Sequence, residues 1–211
     1  PYKFQAPATT VFSDVTQNIQ DKVICGLDIG GTDIKAAIAY RGSLAGMKEY
    51  DWNPAVYGTA EELIHPILAI VRLLRAQISY LDKAKATGIA DESLAAVLDT
   101  ALDKDASYDE IMNAIEKVEA ALGDSLVNLD AVGLCFPDVV VRNKVVGGEV
   151  PKTKGMRENT SLDFEEQFAK ITALDENLLN LCGPHGVVMN TNDGPMASFT
   201  AAVEIAASPN A

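Results

Sequence analysis

The hydrophobic period of the chain changes at Thr59, and this change constrains the fold more than any other feature of the sequence. Before Thr59, short apolar runs are separated by turns of a few residues, which favours an antiparallel meander of strands. From Thr59 to Gly123, apolar residues recur along one helix face, and Thr59 with Glu62 forms a capping box that predicts a helix start. The two periods together predict an α/β layered domain.

The predicted elements follow one another in a simple order. Strands are predicted at residues 22–30, 34–42, 44–53, 130–141 and 186–193, with a short extended piece at 143–150. Helices are predicted from Thr59, over 91–104, from Ser107 to Gly123, over 161–172 and over 194–207, and Pro66 is expected to kink the first of them. Three strands, helices, strand, helix, strand, helix is also the element order of the ribonuclease H-like fold. That resemblance implies a mixed sheet with helices on both faces.

Composition excludes several classes of function. The formal net charge of −13 leaves no basic face for a phosphate backbone, so nucleic-acid binding by this chain is not expected. The three cysteines are widely spaced and show neither a disulfide framework nor zinc-site spacing, which fits a reducing compartment. The most apolar segment, residues 63–78, contains Arg72 and Arg75 and is not expected to span a membrane. No apolar leader precedes the first strand, and a cytoplasmic location is expected.

A glycine-rich turn, "GLDIGGTDIK", follows the first predicted strand. Gly30 and Gly31 allow backbone N–H groups to approach an anion closely, and Thr32 adds a hydroxyl donor. Asp28 is placed to hold a hydrated magnesium ion, which prefers carboxylate and water oxygens. Lys35 offers a positive charge to a phosphate. The alternative is an ordinary hairpin whose glycines serve only the backbone geometry, and spacing alone does not decide between the two.

A second polar stretch, "MNTNDGPMASF", lies where the fifth strand is expected to end and the last helix to begin. Ligands in α/β folds bind at the carboxyl ends of such strands. Asp193 is placed to take a proton from a substrate hydroxyl as that hydroxyl attacks a phosphoryl group, and Asn192 to bind a neighbouring hydroxyl. Helix capping by Asp193 is the alternative reading of the same residues.

Taken together, "DIGGT", "VGLCFPD" and "NDG" occur in the order seen in the ROK family of sugar kinases, and the chain resembles that family over residues 23–207. The family belongs to the superfamily of acetate kinases, sugar kinases, heat-shock chaperones and actin. The resemblance implies the N-terminal lobe of an actin-like ATPase fold, spanning 23–211 after an extension at 1–22. Residues 59–123 are longer than the family's connecting helix and resemble an inserted helical hairpin.

The resemblance also assigns roles to residues. It makes Asp193 the catalytic base and Asn192 a sugar ligand, gives the ATP phosphates to the Gly30–Thr32 turn and Lys35, and gives Mg²⁺ to Asp28 through water. The segment "PKTKGM" looks like the family's sugar-facing loop, which makes Thr153 a further candidate contact. Where the family usually has glycine after a proline, this chain has Asp138, which either faces the sugar or makes a different turn.

The implied activity is transfer of the γ-phosphoryl group of ATP to a hydroxyl of a sugar or amino sugar. The family's second lobe, which supplies the adenosine pocket and further sugar contacts, is not expected within these residues, so the isolated chain is expected to be inactive. A homodimer is left open. The alternatives are a sugar- or nucleotide-sensing module on the same fold and an activator-type ATPase of the superfamily. The Gly30-Gly31 pair and Asp193 favour the kinase over both.

Overall fold

A computed structural model of the chain describes residues 19–147, 151–194 and 196–198. Most of the predicted N-terminal extension and most of the predicted last helix lie outside the described residues. Within them, the protein is an α/β domain built on a five-stranded mixed sheet, as the sequence predicts.

The first three strands form the predicted antiparallel meander. Strand β1 (Val23–Ile29) pairs with β2 (Asp33–Tyr40), and β2 pairs with β3 (Ser43–Asp51). The β2–β3 turn is Arg41-Gly42, and both residues have positive φ angles of 52° and 76°. Positive φ at both central positions is the requirement of a type I′ hairpin turn, whose twist matches that of the strands it joins.

Two further strands extend the sheet beyond β1. Strands β4 (Leu129–Cys135) and β7 (Cys182–Thr191) run parallel to β1, and the strand order is β3-β2-β1-β4-β7. Within this sheet β2 alone runs in the opposite direction. The carboxyl ends of β1, β4 and β7 therefore meet at one edge of the sheet.

The predicted fourth strand is too long. It ends at Cys135 instead of Val141, because Pro137 has no N–H with which to continue the ladder. Beyond it, β5 (Val140–Val141) and β6 (Lys144–Val145) form a separate small hairpin. The fifth predicted strand, in contrast, is too short: β7 begins at Cys182, and an irregularity in its pairing with β4 absorbs the residues between Cys182 and Val187.

Helix α1 (Ala60–Thr87) begins at the predicted capping box, in which the Thr59 hydroxyl accepts from the Glu62 amide. It continues through Pro66 as one helix and ends at Gly88, whose left-handed conformation stops it. By length and composition alone this helix could cross a membrane, but 72% of its most apolar 18-residue window is buried inside the protein. Packing accounts for its apolar character.

One side of α1 packs on the sheet and another side on the two helices that follow. Buried residues on the sheet side include Leu63, Ile67, Ile70, Leu74 and Ile78. Leu73, with Ala69 and Ala76, belongs instead to a second core shared with α2 (Glu92–Leu102) and α3 (Tyr108–Leu122). Helix α3 begins at the predicted capping box of Ser107 and Glu110. Residues 59–123 thus add a helical layer with a core of its own.

Three shorter helices complete the described residues: α4 (Lys154–Glu158), α5 (Phe164–Thr172) and α6 (Leu174–Leu179). Helix α5 starts at Phe164, later than the predicted Ser161, because Asp163 is its N-cap and accepts from the Glu166 amide at 3.0 Å. The sequence analysis did not predict α4 and α6. Helices α1, α5 and α6 contribute to the same core on one face of the sheet. The prediction of helices on the other face depends on residues after Thr191, of which 193–194 and 196–198 are helical.

Candidate functional site

Three carboxylates come from the shared edge of the three parallel strands. Asp28 lies next to the end of β1, where it is level with Cys135 of β4, and Cys135 is level with Thr191 of β7. Asp138 follows the end of β4 by three residues, and Asp193 follows the end of β7 by two. Residues more than a hundred positions apart along the chain therefore meet at one edge, which is where α/β sheets bind ligands.

A cavity of about 850 Å³ opens on the sheet face opposite α1. Its polar wall contains the predicted residues Asp28, Lys35 and Asp193. Its floor is made by small residues, among them Gly26 and Gly133, beside which no described atom lies within 4 Å of where a Cβ would be. The structure thus brings the residues predicted for base, metal and phosphate around one open space.

The glycine-rich turn beside this cavity is fixed by the chain itself. A Cβ at Gly30 would lie 2.7 Å from the carbonyl oxygen of Asp33, so no larger residue fits there. Trp52 holds the turn from below, its indole Nε1 donating to the Gly30 oxygen at 3.1 Å and its amide to the Thr32 oxygen at 2.9 Å. At Gly31 a Cβ would meet nothing within 4 Å. The glycine at 30 is explained by the turn, whereas the position of Gly31 is open, and the described cavity lining does not include the turn.

Lys35 is already engaged by a neighbour. Its ammonium lies 2.7 Å from a carboxylate oxygen of Asp33, and this hydrogen bond raises the pKa of Lys35. The Lys35 side chain is half exposed and lines the cavity. Asp33, which adds a negative charge after the turn, is therefore paired with the very cation predicted to meet a phosphate.

Asn192 joins two parts of the site. Its Nδ2 donates to the carbonyl oxygen of Asp138 at 2.8 Å, while its Oδ1 accepts from the Gly194 amide at 2.9 Å. Asp193 Oδ1 also accepts from the Gly194 amide at 2.9 Å, so both residues cap the helix that starts here. Asp193 is exposed and lines the cavity in addition to this contact. An amide has a second N–H and a second lone pair, so Asn192 retains capacity for a ligand.

Asp138 is buried, with 7% of its surface exposed. Its Oδ1 accepts from the Val139 amide at 2.6 Å, but its Oδ2 is fully buried and has no hydrogen-bond partner among the described residues. Gly147 packs directly on this carboxylate, because a Cβ there would lie only 1.6 Å from Oδ1. Glycine at 147 is thus what leaves room for the Asp138 side chain.

Sequence reasoning missed Lys152, which lies in a 3₁₀ turn at Pro151–Thr153 and is 7% exposed. Burial lowers the pKa of its ammonium. The charges of Asp193, Asp28 and Asp138 oppose that effect without outweighing it. No described carboxylate lies within the 4.0 Å of an ion pair with Lys152. Its only sequence signal was its position in "PKTKGM", since a lysine in a polar loop is normally exposed.

Thr153 has a contact within the chain. It is 1% exposed, and its hydroxyl accepts from Arg157 Nη1 at 2.6 Å. The described residues that line the cavity do not include Thr153 or Asp138. The buried polar cluster of Asp138, Lys152 and Asn192 therefore lies beside the cavity, and Asp193 connects the two.

The remaining chemistry at this edge is limited. Burial, with Asp28 and Asp193 adding to it, raises the pKa of the Cys135 thiol, which disfavours the nucleophilic thiolate. Among residues 19–147, 151–194 and 196–198, no group of three or more His, Cys, Asp or Glu side chains is arranged to hold a metal ion. A lone carboxylate such as Asp28 fits magnesium, which is commonly held by one or two carboxylates together with waters and substrate phosphates.

Comparison with known proteins gives no relative. No protein-family model matches the chain, and no curated protein sequence matches it. The function must therefore be argued from the geometry of the site.

Proposed function

We propose that this chain is the N-terminal lobe of an ATP-dependent kinase that phosphorylates a hydroxyl of a sugar or amino sugar. The observation that carries the proposal is that Asp28, Lys35 and Asp193 line one cavity at the carboxyl edge of β1, β4 and β7. The sheet supports it, because an antiparallel meander of three strands followed by two strands parallel to the first is the arrangement of the ribonuclease H-like fold named above. The ROK-like motifs "DIGGT" and "NDG" lie at the two ends of this arrangement.

Asp193 acts as the general base in this proposal. It is exposed, lines the cavity and is anchored through one carboxylate oxygen on the Gly194 amide, which leaves the other oxygen to face a hydroxyl. Asn192, held by Asp138 and Gly194, orients the same substrate through its remaining N–H. Removing the proton as the hydroxyl attacks contributes a factor of about 10²–10⁴ to the rate.

The opposite wall of the cavity handles the phosphates. Gly31 leaves its backbone open to an approaching phosphate, Thr32 adds its hydroxyl, and Lys35 supplies a positive charge. Asp28 would hold Mg²⁺ through water, and the ion when bound neutralises charge on the phosphate oxygens. The Lys35–Asp33 ion pair keeps the ammonium near the cavity until a phosphate competes for it.

We further propose a cytoplasmic protein that acts on small molecules, with a second lobe that completes the adenosine and sugar sites. Closure of two lobes would align the hydroxyl with the γ-phosphoryl group and exclude water. Thr153 would contribute to the sugar side only if its bond to Arg157 leaves its hydroxyl proton free to donate.

The test is ATP-dependent phosphorylation of a sugar panel by the full-length protein and its Asp193→Asn variant. The variant keeps the size of the side chain but loses the base, so kcat should fall by about 10²–10⁴ while MgATP affinity stays the same. Asp124→Asn, an exposed carboxylate outside the site, is the matched control and should keep full activity. Undiminished turnover by Asp193→Asn would overturn the assignment. Binding of sugar and ATP without transfer in the unaltered protein would favour the sensing module instead.

A further inference from the structure

The buried carboxylate of Asp138 lacks a partner within the described part of the chain. Its Oδ2 has no solvent contact and no hydrogen bond, although Oδ1 is satisfied by the Val139 amide. A buried acceptor that stays unpaired costs about 1–3 kcal/mol, and more if it is charged. Native proteins keep such groups rarely, and an external donor is one of the explanations.

Lys152 is a second and independent observation at the same place. Its ammonium is buried, and the described carboxylates around it lie beyond ion-pair distance. Asp138 and Lys152 nevertheless interact electrostatically, so they face a common region without touching. One of them can only accept hydrogen bonds in its charged form, and the other can only donate. Such a pair matches the two faces of neighbouring hydroxyl groups.

The charges around this region restrict what can enter. Asp28, Asp138 and Asp193 all act on Lys152, so one ammonium is outnumbered by three carboxylates. Lys35 does not change this balance, because it is paired with Asp33. Like charges at close range disfavour a bound anion. A sugar acid or a sugar phosphate is therefore a poor fit, whereas a neutral polyol can bridge acceptor and donor.

We propose that Asp138 and Lys152 form the acceptor-binding subsite, in which Asp138 Oδ2 accepts from one hydroxyl and Lys152 donates to the oxygen of its neighbour, and that the acceptor is a neutral polyol with two adjacent free hydroxyls. The substrate class rests on the proposed kinase function. Asn192 links the subsite to the base, because it is bonded to the Asp138 carbonyl and precedes Asp193. The bound diol thus lies beside the residue that would activate a third hydroxyl.

The experiment measures affinity by calorimetry on the full-length protein with a panel of neutral probes: glucose, mannose, galactose, N-acetylglucosamine and myo-inositol. The tightest of these is then compared with its uronic acid and its 6-phosphate, or with inositol monophosphate if inositol binds best. The neutral probe should bind about tenfold tighter or better than either anion. If none of the neutral probes binds, or if an anionic form binds as tightly, the inference is wrong.

Variants separate binding from stability. Asp138→Asn and Lys152→Met should each weaken binding of the best probe by about tenfold or more, because each removes a hydrogen bond to a charged group, while MgATP affinity is unchanged. Lys154→Met is the matched control: it lies two residues away, is exposed and pairs only loosely with Glu158 at 3.8 Å. If Asp138 and Lys152 merely pair with each other, both variants will lower the melting temperature but leave probe affinity within about twofold, which overturns the proposal.

A measurement on the unaltered protein covers the case in which a variant does not fold. Acylation of Lys152 by an amine-reactive reagent, followed by peptide mass spectrometry, should slow when the best probe is present at saturation, whereas acylation of Lys154 should not. Equal rates with and without the probe would contradict the subsite. Failure of the kinase proposal is a different result: probe binding would depend on Asp138 and Lys152, but no phosphoryl transfer would occur. Transfer that depends on Asp193 with an unaltered KM in both subsite variants would reject the subsite alone.

Discussion

The side-chain nitrogen of Asn192 donates a 2.8 Å hydrogen bond to the main-chain oxygen of Asp138. This bond connects the turn after β4 to the residue that follows β7, and the same side chain caps the helix at Gly194. The spatial relation between the buried Asp138 carboxylate and Asp193 is thus set by one amide. The edge of the sheet is held together by a side chain that is also a candidate ligand.

Replacing Asn192 by aspartate should separate these two tasks. The variant keeps an oxygen for the Gly194 amide but loses the donor to Asp138, and it places a carboxylate against a carbonyl oxygen. We expect the free energy of unfolding to fall by about 1 kcal/mol or more, together with weaker binding of the acceptor. Urea denaturation and calorimetry measure the two effects. Asn113→Asp, at an exposed position of α3, is the control, and equal stability of the two variants would contradict the role of the bond.

Gly155 should tolerate no side chain. A Cβ there would lie 2.6 Å from the Tyr57 oxygen and 2.8 Å from the Val56 carbonyl carbon, which are backbone atoms that cannot swing away. We expect Gly155→Ala to lower the free energy of unfolding by about 1–3 kcal/mol through overpacking. Gly133→Ala, which meets no described atom within 4 Å, should be neutral or slightly stabilising. Thermal or urea melts that rank the two variants the other way would refute this packing.

The second core of the helical layer should matter as much as the core on the sheet. Leu73 is fully buried between α1 and the helices α2 and α3. Leu73→Ala should cost about 2–5 kcal/mol in the free energy of unfolding, because it removes buried methyl groups and leaves a cavity. Leu81→Ala, on the same helix but with 45% of its surface exposed, should cost far less. A small loss at Leu73 would show that residues 59–123 unfold separately from the sheet.

The stability of the protein should depend on pH through Lys48. This residue of β3 is 2% exposed, and its ammonium donates to the carbonyl oxygen of Asp103. Burial lowers the pKa of Lys48 in the folded protein, although neighbouring carboxylates partly offset the effect. Between the folded pKa and the unfolded pKa the unfolded chain binds the extra proton, so the contribution of Lys48 to stability rises with pH in that interval.

Urea denaturation of the unaltered protein and of Lys48→Met at pH 7 and near pH 10 checks this dependence. The difference in unfolding free energy should shift in favour of the lysine at the higher pH. Lys104 gives a control of opposite sign, because its hydrogen bond to Glu49 raises its pKa. Its contribution is present below the unfolded pKa and is lost as pH rises through the folded pKa. The same trend in Lys48→Met and Lys104→Met would contradict the assignment.

Local interactions made much of the fold predictable from sequence. The capping boxes at Thr59 and Ser107 join residues three positions apart, and both are present as expected. The Arg41-Gly42 turn likewise depends on two adjacent residues, one of them a glycine that adopts positive φ without strain. Trp52 was expected at the edge of the core and is 7% exposed there. In each case the residues that make the contact are neighbours in the chain or belong to a strongly apolar pattern.

Interactions between distant residues could not be read in the same way. The end of β4 at Cys135 depends on where Pro137 falls relative to the ladder with β7, and the short helices α4 and α6 exist because the core accepts Met156 and Leu174. Lys152 gives the clearest case. Nothing in its neighbourhood in the sequence distinguishes it from Lys154, yet one is buried and the other is exposed.

The sequence by itself therefore determined the α/β class, the meander, the starts of the long helices and the residue types that suit phosphoryl transfer. Only the tertiary structure decided that Asp28, Asp138 and Asp193 share one edge and that Asp138 and Lys152 are buried beside it. The physical reason is that periodicity and capping act over a few residues, whereas the parallel register of β1, β4 and β7 joins segments more than a hundred residues apart. Burial of a charge is a property of that assembly and not of the local sequence.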